Sequence, residues 1–165
     1  MKLRARRRAA YACALLVALL STTAAAQDSA ARTDERYNIG YQLSMTNPAS
    51  HLFEVNMTVE TAQAVEAVDF QMPRWSPGRY AVFDFAKNVQ EVRATTFCAP
   101  PAFCDAATLP VTRLDTQTWR VYPGKSRGIA LSYKVFANDL SGTFSQLDER
   151  HANFNGGSIF MYVVG

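Results

Sequence analysis

The chain has 165 residues, 48% of them hydrophobic, with 17 basic and 14 acidic side chains. That length suits one domain with a modest core. Five of the basic residues, Lys2, Arg4, Arg6, Arg7 and Arg8, crowd the amino terminus, and beyond them twelve basic residues face fourteen acidic ones, a balance of −2. The remaining Lys and Arg are scattered and form no stripe that would neutralise successive phosphates, which excludes a nucleic-acid surface.

Residues 1–26 read as an export signal. A basic head precedes the apolar stretch Ala9–Leu20, and Ala24 and Ala26 stand at a cleavage-type A-x-A spacing. The apolar run is short of the ~20 residues that span a bilayer, so no membrane anchor is expected once the signal is cleaved. Cleavage near Gln27 predicts a periplasmic or secreted protein, and the polar, alanine-rich residues 27–36 are expected to form a flexible lead-in. Cys13 leaves with the signal. Cys98 and Cys104 then form an even pair in an oxidising compartment, bracketing a loop that holds Pro100 and Pro101. A disulfide is the favoured reading. A metal site is the competing one, but the pair lacks the spacing and the second ligand pair of zinc sites.

From Tyr37 onward the hydrophobic period is two, the signature of half-buried strands. Tyr37, Ile39, Tyr41, Leu43 and Met45 alternate with polar residues; Thr46–Ser50 breaks the run; Phe53, Val55, Met57 and Val59 resume it as the second arm of a hairpin. Val68–Met72 carries a third strand ended by Pro73, and Val89–Thr96 a weaker one. Thr118–Tyr122 and Ile129–Ala137 flank a turn at Pro123–Ser126, and a final strand is expected over Ser158–Val164. Ala81–Val92 has room for a helical turn or two. The pattern predicts an all-β fold, an antiparallel β-sandwich over residues 37–165. Its last element, Phe160–Val164, ends as an apolar edge, and such edges template aggregation, so the domain is expected to be incomplete at its carboxyl end.

Two segments stand out from the strands. In Trp75-Ser76-Pro77-Gly78-Arg79-Tyr80, Pro77-Gly78 supplies the fixed negative and tolerated positive φ of a type II turn. Trp75 and Tyr80, with Phe83 and Phe85, are expected to insert into the core. In the second segment Asp148, Glu149, Arg150, His151, Asn153 and Asn155 gather ahead of Gly156-Gly157. Asp148 and Asn155 suit bonds to their own loop backbone. The alternative sets Asp148, Arg150, His151 and Asn155 at an interdomain contact.

The Trp-x-Pro-Gly-x-Tyr corner with Asp84-Phe85, the strand-rich interval, and the Asp-x-x-His-x-x-Phe-Asn-Gly-x-Ser-x-Phe tract from Asp148 to Phe160 resemble the amino-terminal β domain of glycyl aminopeptidase-type zinc metallopeptidases. The resemblance covers Tyr37 to Gly165. It implies that a thermolysin-like zinc domain and a PDZ domain belong to the full architecture, and that this domain packs on the zinc domain and shapes the cleft for a peptide substrate. The partner so implied is a catalytic domain of the same polypeptide. Zinc is expected in that architecture, and no cofactor in this chain.

The family's chemistry needs two histidines one helical turn apart with a glutamate between them. His51 and His151 are the two histidines present. His51 falls on an expected strand and His151 in a loop, neither within H-E-x-x-H. No catalytic or metal-binding residue carries over, and the chain alone is predicted to be inactive. A nucleophile elbow and a phosphate-binding glycine loop are likewise missing from the sequence. The competing reading is a stand-alone periplasmic module that stacks sugars or peptides on Trp75, Tyr80 or Trp119.

Overall fold

The computed structural model describes residues 36–165 apart from Pro77 and Arg79. The expected export signal, residues 1–26, and residues 27–35 of the expected lead-in lie outside the described residues. In chain order the strands are β1 (Tyr37–Ser44), β2 (Leu52–Thr61), β3 (Val68–Gln71), β4 (Val89–Thr96), β5 (Thr108–Leu109), β6 (Val111–Arg113), β7 (Thr118–Val121), β8 (Gly128–Phe136), β9 (Gln146–Leu147), β10 (Ala152–Asn153) and β11 (Tyr162–Val164). They form a five-stranded sheet in the order β1-β2-β8-β4-β5, a four-stranded sheet in the order β11-β3-β7-β6, and the ribbon β9-β10. Every pairing is antiparallel. The fold is thus the all-β, sandwich-like one that the period-two pattern predicts.

Alternation fixes which face of each strand is buried. In β2, Phe53, Val55, Met57 and Val59 point inward, and in β8 Ile129, Leu131, Tyr133 and Val135 do the same. The second sheet answers with Val68 and Phe70 of β3 and Trp119 and Val121 of β7. Phe70 pairs with Trp119 across β3 and β7. On the outer face of the same pair the Arg120 guanidinium grips Asp69 with two bonds of 2.7 and 2.8 Å. That bond, more than any other influence, holds the Asp69 carboxyl below its usual range.

Two details at the sheet margins follow from backbone geometry. Gly128 starts β8 hard against Phe97, where a Cβ would lie 1.9 Å from the Phe97 carbonyl oxygen, so only glycine fits. In β4 the register slips between Gln90 and Arg93 at a bulge. There Glu91 adopts a left-handed φ of 54° and meets the Lys134 ammonium at 3.0 Å. Cys98 and Cys104 are joined in a disulfide beyond the end of β4.

The structure departs from the sequence expectations at the carboxyl end. The final strand does not begin at Ser158: Gly156–Ile159 makes a helical turn, and β11 covers only Tyr162–Val164. Asn155 causes this, because its side chain accepts from the Gly157 N–H and caps the turn. His51 is not in β2 either. It ends a 3-10 turn at Pro48–Ser50 with φ 58°. The helical turn allowed for within 81–92 is a 3-10 segment at Phe85–Asn88.

A buried tyrosine ties the end of the chain to the core. Tyr133 Oη donates to the Ile159 carbonyl at 3.0 Å and accepts from Met161 N at 2.9 Å. Burial pushes its ionisation far above the usual range, so the hydroxyl stays protonated and keeps both roles. Tyr133→Phe leaves a buried N–H and a buried carbonyl without their partner, and is expected to cost about 2–3 kcal/mol in denaturant unfolding with no change in the dependence on denaturant. A loss of a few tenths of a kcal/mol or less would show that this clamp does not hold β11.

Candidate functional site

The two segments singled out in the sequence lie next to each other. Asn155 Nδ2 donates to Ser76 Oγ at 3.2 Å across 79 positions of sequence. Its Oδ1 accepts from Gly157 N at 3.0 Å, and its carbonyl accepts from the Ser158 hydroxyl at 2.8 Å. The Ser158 and Ser145 hydroxyls are 2.6 Å apart. Ser76, Ser145 and Ser158 are all buried. The result is a polar chain, Ser76–Asn155–Ser158–Ser145, in which the three buried hydroxyls and the half-buried amide each have a partner, as burial of polar groups requires.

The corner itself is closed by Phe83 N, which donates to the Arg74 carbonyl at 2.7 Å. Gly78 has φ +82°, the positive value that the Pro-Gly pattern predicts. Beneath it Phe83 stacks on Phe85 at 5.5 Å, both meet the edge of Phe144, and the Lys87 ammonium lies 4.9 Å over the Phe144 ring. Phe83 and Phe85 therefore supply the expected inward aromatics. Trp75 and Tyr80 do not: Trp75 is 53% exposed and Tyr80 100% exposed. The element that turns inward at the corner is Ser76, whose buried hydroxyl meets the half-buried Asn155 amide, while the loop between Arg74 and Phe83 carries the larger rings outward.

The remaining candidates form a separate turn. Asp148 Oδ1 accepts from Arg150 N at 2.7 Å and from His151 N at 3.0 Å. Those two backbone bonds, in that order, hold the Asp148 carboxyl below its usual range. His151 Nδ1 is 3.2 Å from the same oxygen and its Nε2 is 3.2 Å from Gln146 Oε1. Asp148 and His151 thus brace their own loop, and Arg150 is exposed beside them. His51, a hundred positions away in sequence, reaches the same end of the molecule, where its Nδ1 meets the Leu147 carbonyl. Ala49, His51, Asp148, Glu149 and Arg150 line a depression of about 400 Å³. Among the described residues no three His, Cys, Asp or Glu side chains are placed to hold a metal ion.

An aromatic chain extends from the site toward β1. Phe53 meets Phe154 at 5.6 Å, Phe154 meets Phe160 at 6.2 Å, and Phe160 meets Tyr41 at 5.2 Å, each edge to face. Sequence reading names Ser76 and Ser158 within their segments but not the bonds they make, and it misses Ser145 and Phe144. Serine hydroxyls leave no mark in hydrophobic periodicity, and their convergence depends on a contact between distant segments.

The fold and this junction define an all-β domain whose distinctive loops meet at one end and present aromatic side chains to solvent. A scan against family models matches residues 40–165 to the peptidase M61 N-terminal domain. The chain belongs to that family. Among solved structures it is similar to the crystal structure of an aminopeptidase N family protein from Idiomarina loihiensis, with 28% identity and a TM-score of 0.67 over 78% of this chain. The match takes in 20% of that protein, so the chain spans about a fifth of its length. None of the curated proteins matches.

The depressed Asp148 carboxyl sets an acid-side test. Its folded pKa lies below its unfolded one, so its contribution is complete above about pH 4 and is lost as pH falls through the folded value. Asp148→Asn, which keeps an acceptor oxygen but no charge, is expected to flatten the fall of Tm below about pH 4, with the residual slope carried by Asp69 and Asp115. Identical acid limbs for the two proteins would contradict this role.

Proposed function

We propose that this chain is the non-catalytic amino-terminal domain of an exported, zinc-dependent peptidase of the glycyl aminopeptidase type. The domain packs against a zinc domain of the same polypeptide, and the exposed aromatics of its corner wall one side of the cleft that receives peptide amino termini. The observation that carries this reading is the joining of the two family segments by Asn155 and Ser76 with Trp75 and Tyr80 turned to solvent. Side chains on a fixed corner lose little freedom when a partner covers them, and exposed Trp and Tyr are the residues most often dominant in interfaces. Arg150, exposed beside the braced Asp148–His151 turn, and Asn155 at the edge of the corner supply the polar rim of the same contact. The leader supports export, and the disulfide suits an oxidising compartment.

A second reading, a free-standing module that stacks sugars or peptides, draws on the same exposed rings. Trp119 cannot serve it, being 5% exposed and covered by Arg113 at 4.9 Å. Trp75 and Tyr80 remain for it, and titration of the isolated chain with oligosaccharide distinguishes the two: a saturable shift in tryptophan emission favours the module.

The direct test compares this chain with a polypeptide extended through the reading frame that follows Gly165, both assayed with zinc for release of amino-terminal glycine. Activity is expected in the longer protein alone. Within it, Trp75→Ala and Tyr80→Ala are each expected to lower kcat/KM by about tenfold or more while the isolated domain melts as before. Glycine release by the short chain, or full activity in both variants, would overturn the proposal.

A further inference from the structure

Sheet edges present unpaired N–H and C=O groups, and folded proteins blunt them with short strands, prolines, charges or bulges. In the two larger sheets β5 is two residues long and stops before Pro110, and β6 is three residues long and starts after the same proline, so both of these edges are blunted. The edge strand β1 has none of these devices. It runs for eight residues, Tyr-Asn-Ile-Gly-Tyr-Gln-Leu-Ser, with neither charge nor proline. Its register with β2 is unbroken from Tyr37↔Thr61 to Ser44↔Glu54. Among the described residues β1 pairs with β2 alone.

The side chains repeat the message. The alternation that reads as a half-buried strand leaves its central apolar pair uncovered: Ile39 is 37% and Tyr41 46% exposed, and Asn38 through Gln42 are exposed on both faces. Tyr41 is nevertheless held in place. Its hydroxyl donates to the Met161 carbonyl at 2.7 Å and its ring rests edge to face on Phe160. Gly40, between the two, adds no side chain to the edge.

We propose that β1 is a self-association surface, on which two copies of this chain pair β1 to β1, antiparallel, about a twofold axis and so join their five-stranded sheets. Opposed residues in an antiparallel pair share a face, which restricts the register to odd against odd numbers. With Gly40 on the axis, Ile39 faces the partner subunit's Tyr41 and Tyr41 faces the partner subunit's Ile39, a favourable β-branched and aromatic pairing made twice. On the outer face Asn38 meets the partner subunit's Gln42. No like charges meet, since the nearest carboxylates, Glu54 and Glu60, stand one strand back and are engaged by Thr46 and Asn38. This self-complementarity selects a second copy as the occupant: the interface is isologous, and the strand meets its own pattern. An eight-residue edge is about 27 Å long. Such a pairing buries less than the roughly 1,200 Å² of a permanent interface, so the dimer is reversible and depends on concentration. The inference does not rest on the peptidase reading.

Sedimentation velocity of the purified chain over about a hundredfold range of concentration is expected to show monomer passing to dimer. Hydrogen exchange over the same range should slow at alternate amides within residues 37–44 as concentration rises. Ile39→Lys and Tyr41→Lys, which place a cation on the edge, are expected to weaken dimerisation about tenfold or more, and Val82→Lys on the corner to leave it unchanged. The exchange measurement uses the unaltered chain and stands even where a variant folds poorly. A monomer at every concentration would overturn the proposal. So would a dimer lost with Val82→Lys and kept with both β1 substitutions, or β1 amides that are protected equally at all concentrations, which would assign the edge to a strand of the same polypeptide.

Discussion

The bond between Asn155 and Ser76 is the constraint on which the working end of this domain depends. One residue satisfies three requirements: its side chain caps the helical turn that follows it and gives the buried Ser76 hydroxyl a partner, and its main-chain carbonyl anchors the Ser158 hydroxyl that continues to Ser145. Each of these groups would be costly to bury alone. Joined, they fix two loops from distant parts of the chain in one arrangement. Because Ser76 turns inward, the aromatic groups on either side of the Pro-Gly turn stay outside. The function proposed for the domain follows from that division between a polar chain within and large rings without.

The rest of the architecture supports this junction. Strands β2 and β8 carry alternating large apolar residues and form the middle of the larger sheet, and Tyr133 reaches from β8 to hold the segment that leads from the helical turn into β11. The Phe83, Phe85 and Phe144 cluster supports the corner from below. Asp148 and His151 stiffen the preceding turn, so that the Asp148–Phe160 tract arrives at Asn155 already shaped.

Much of the fold was legible in the sequence because period-two patterning and turn residues carry it. The runs at 52–61 and 128–136 alternate cleanly, and β4 emerged over the residues expected. The short strands β5, β6, β9 and β10 left no such trace, since two or three residues cannot establish a period. Gly156-Gly157 was read as a reversal, and Ser158 and Ile159 as the start of the last strand; the Asn155 cap instead draws all four residues into one helical turn. For the site, the segments themselves were visible, as was the tendency of Asp148 and Asn155 to bond within their loops. The orientation of Trp75 and Tyr80 was not. Large aromatic size argues for burial in general, and what reversed it was a serine bond to an asparagine that no local pattern announces.

The most direct test of this account follows the environment of Trp75. In a Trp119→Phe background Trp75 is the one remaining tryptophan, and its quenching by iodide can be measured in this chain and in the polypeptide extended beyond Gly165. The account predicts ready quenching in the short chain, with strong shielding and a blue-shifted emission in the longer one. Equal quenching in both would show that the corner faces no partner, and would contradict the central claim.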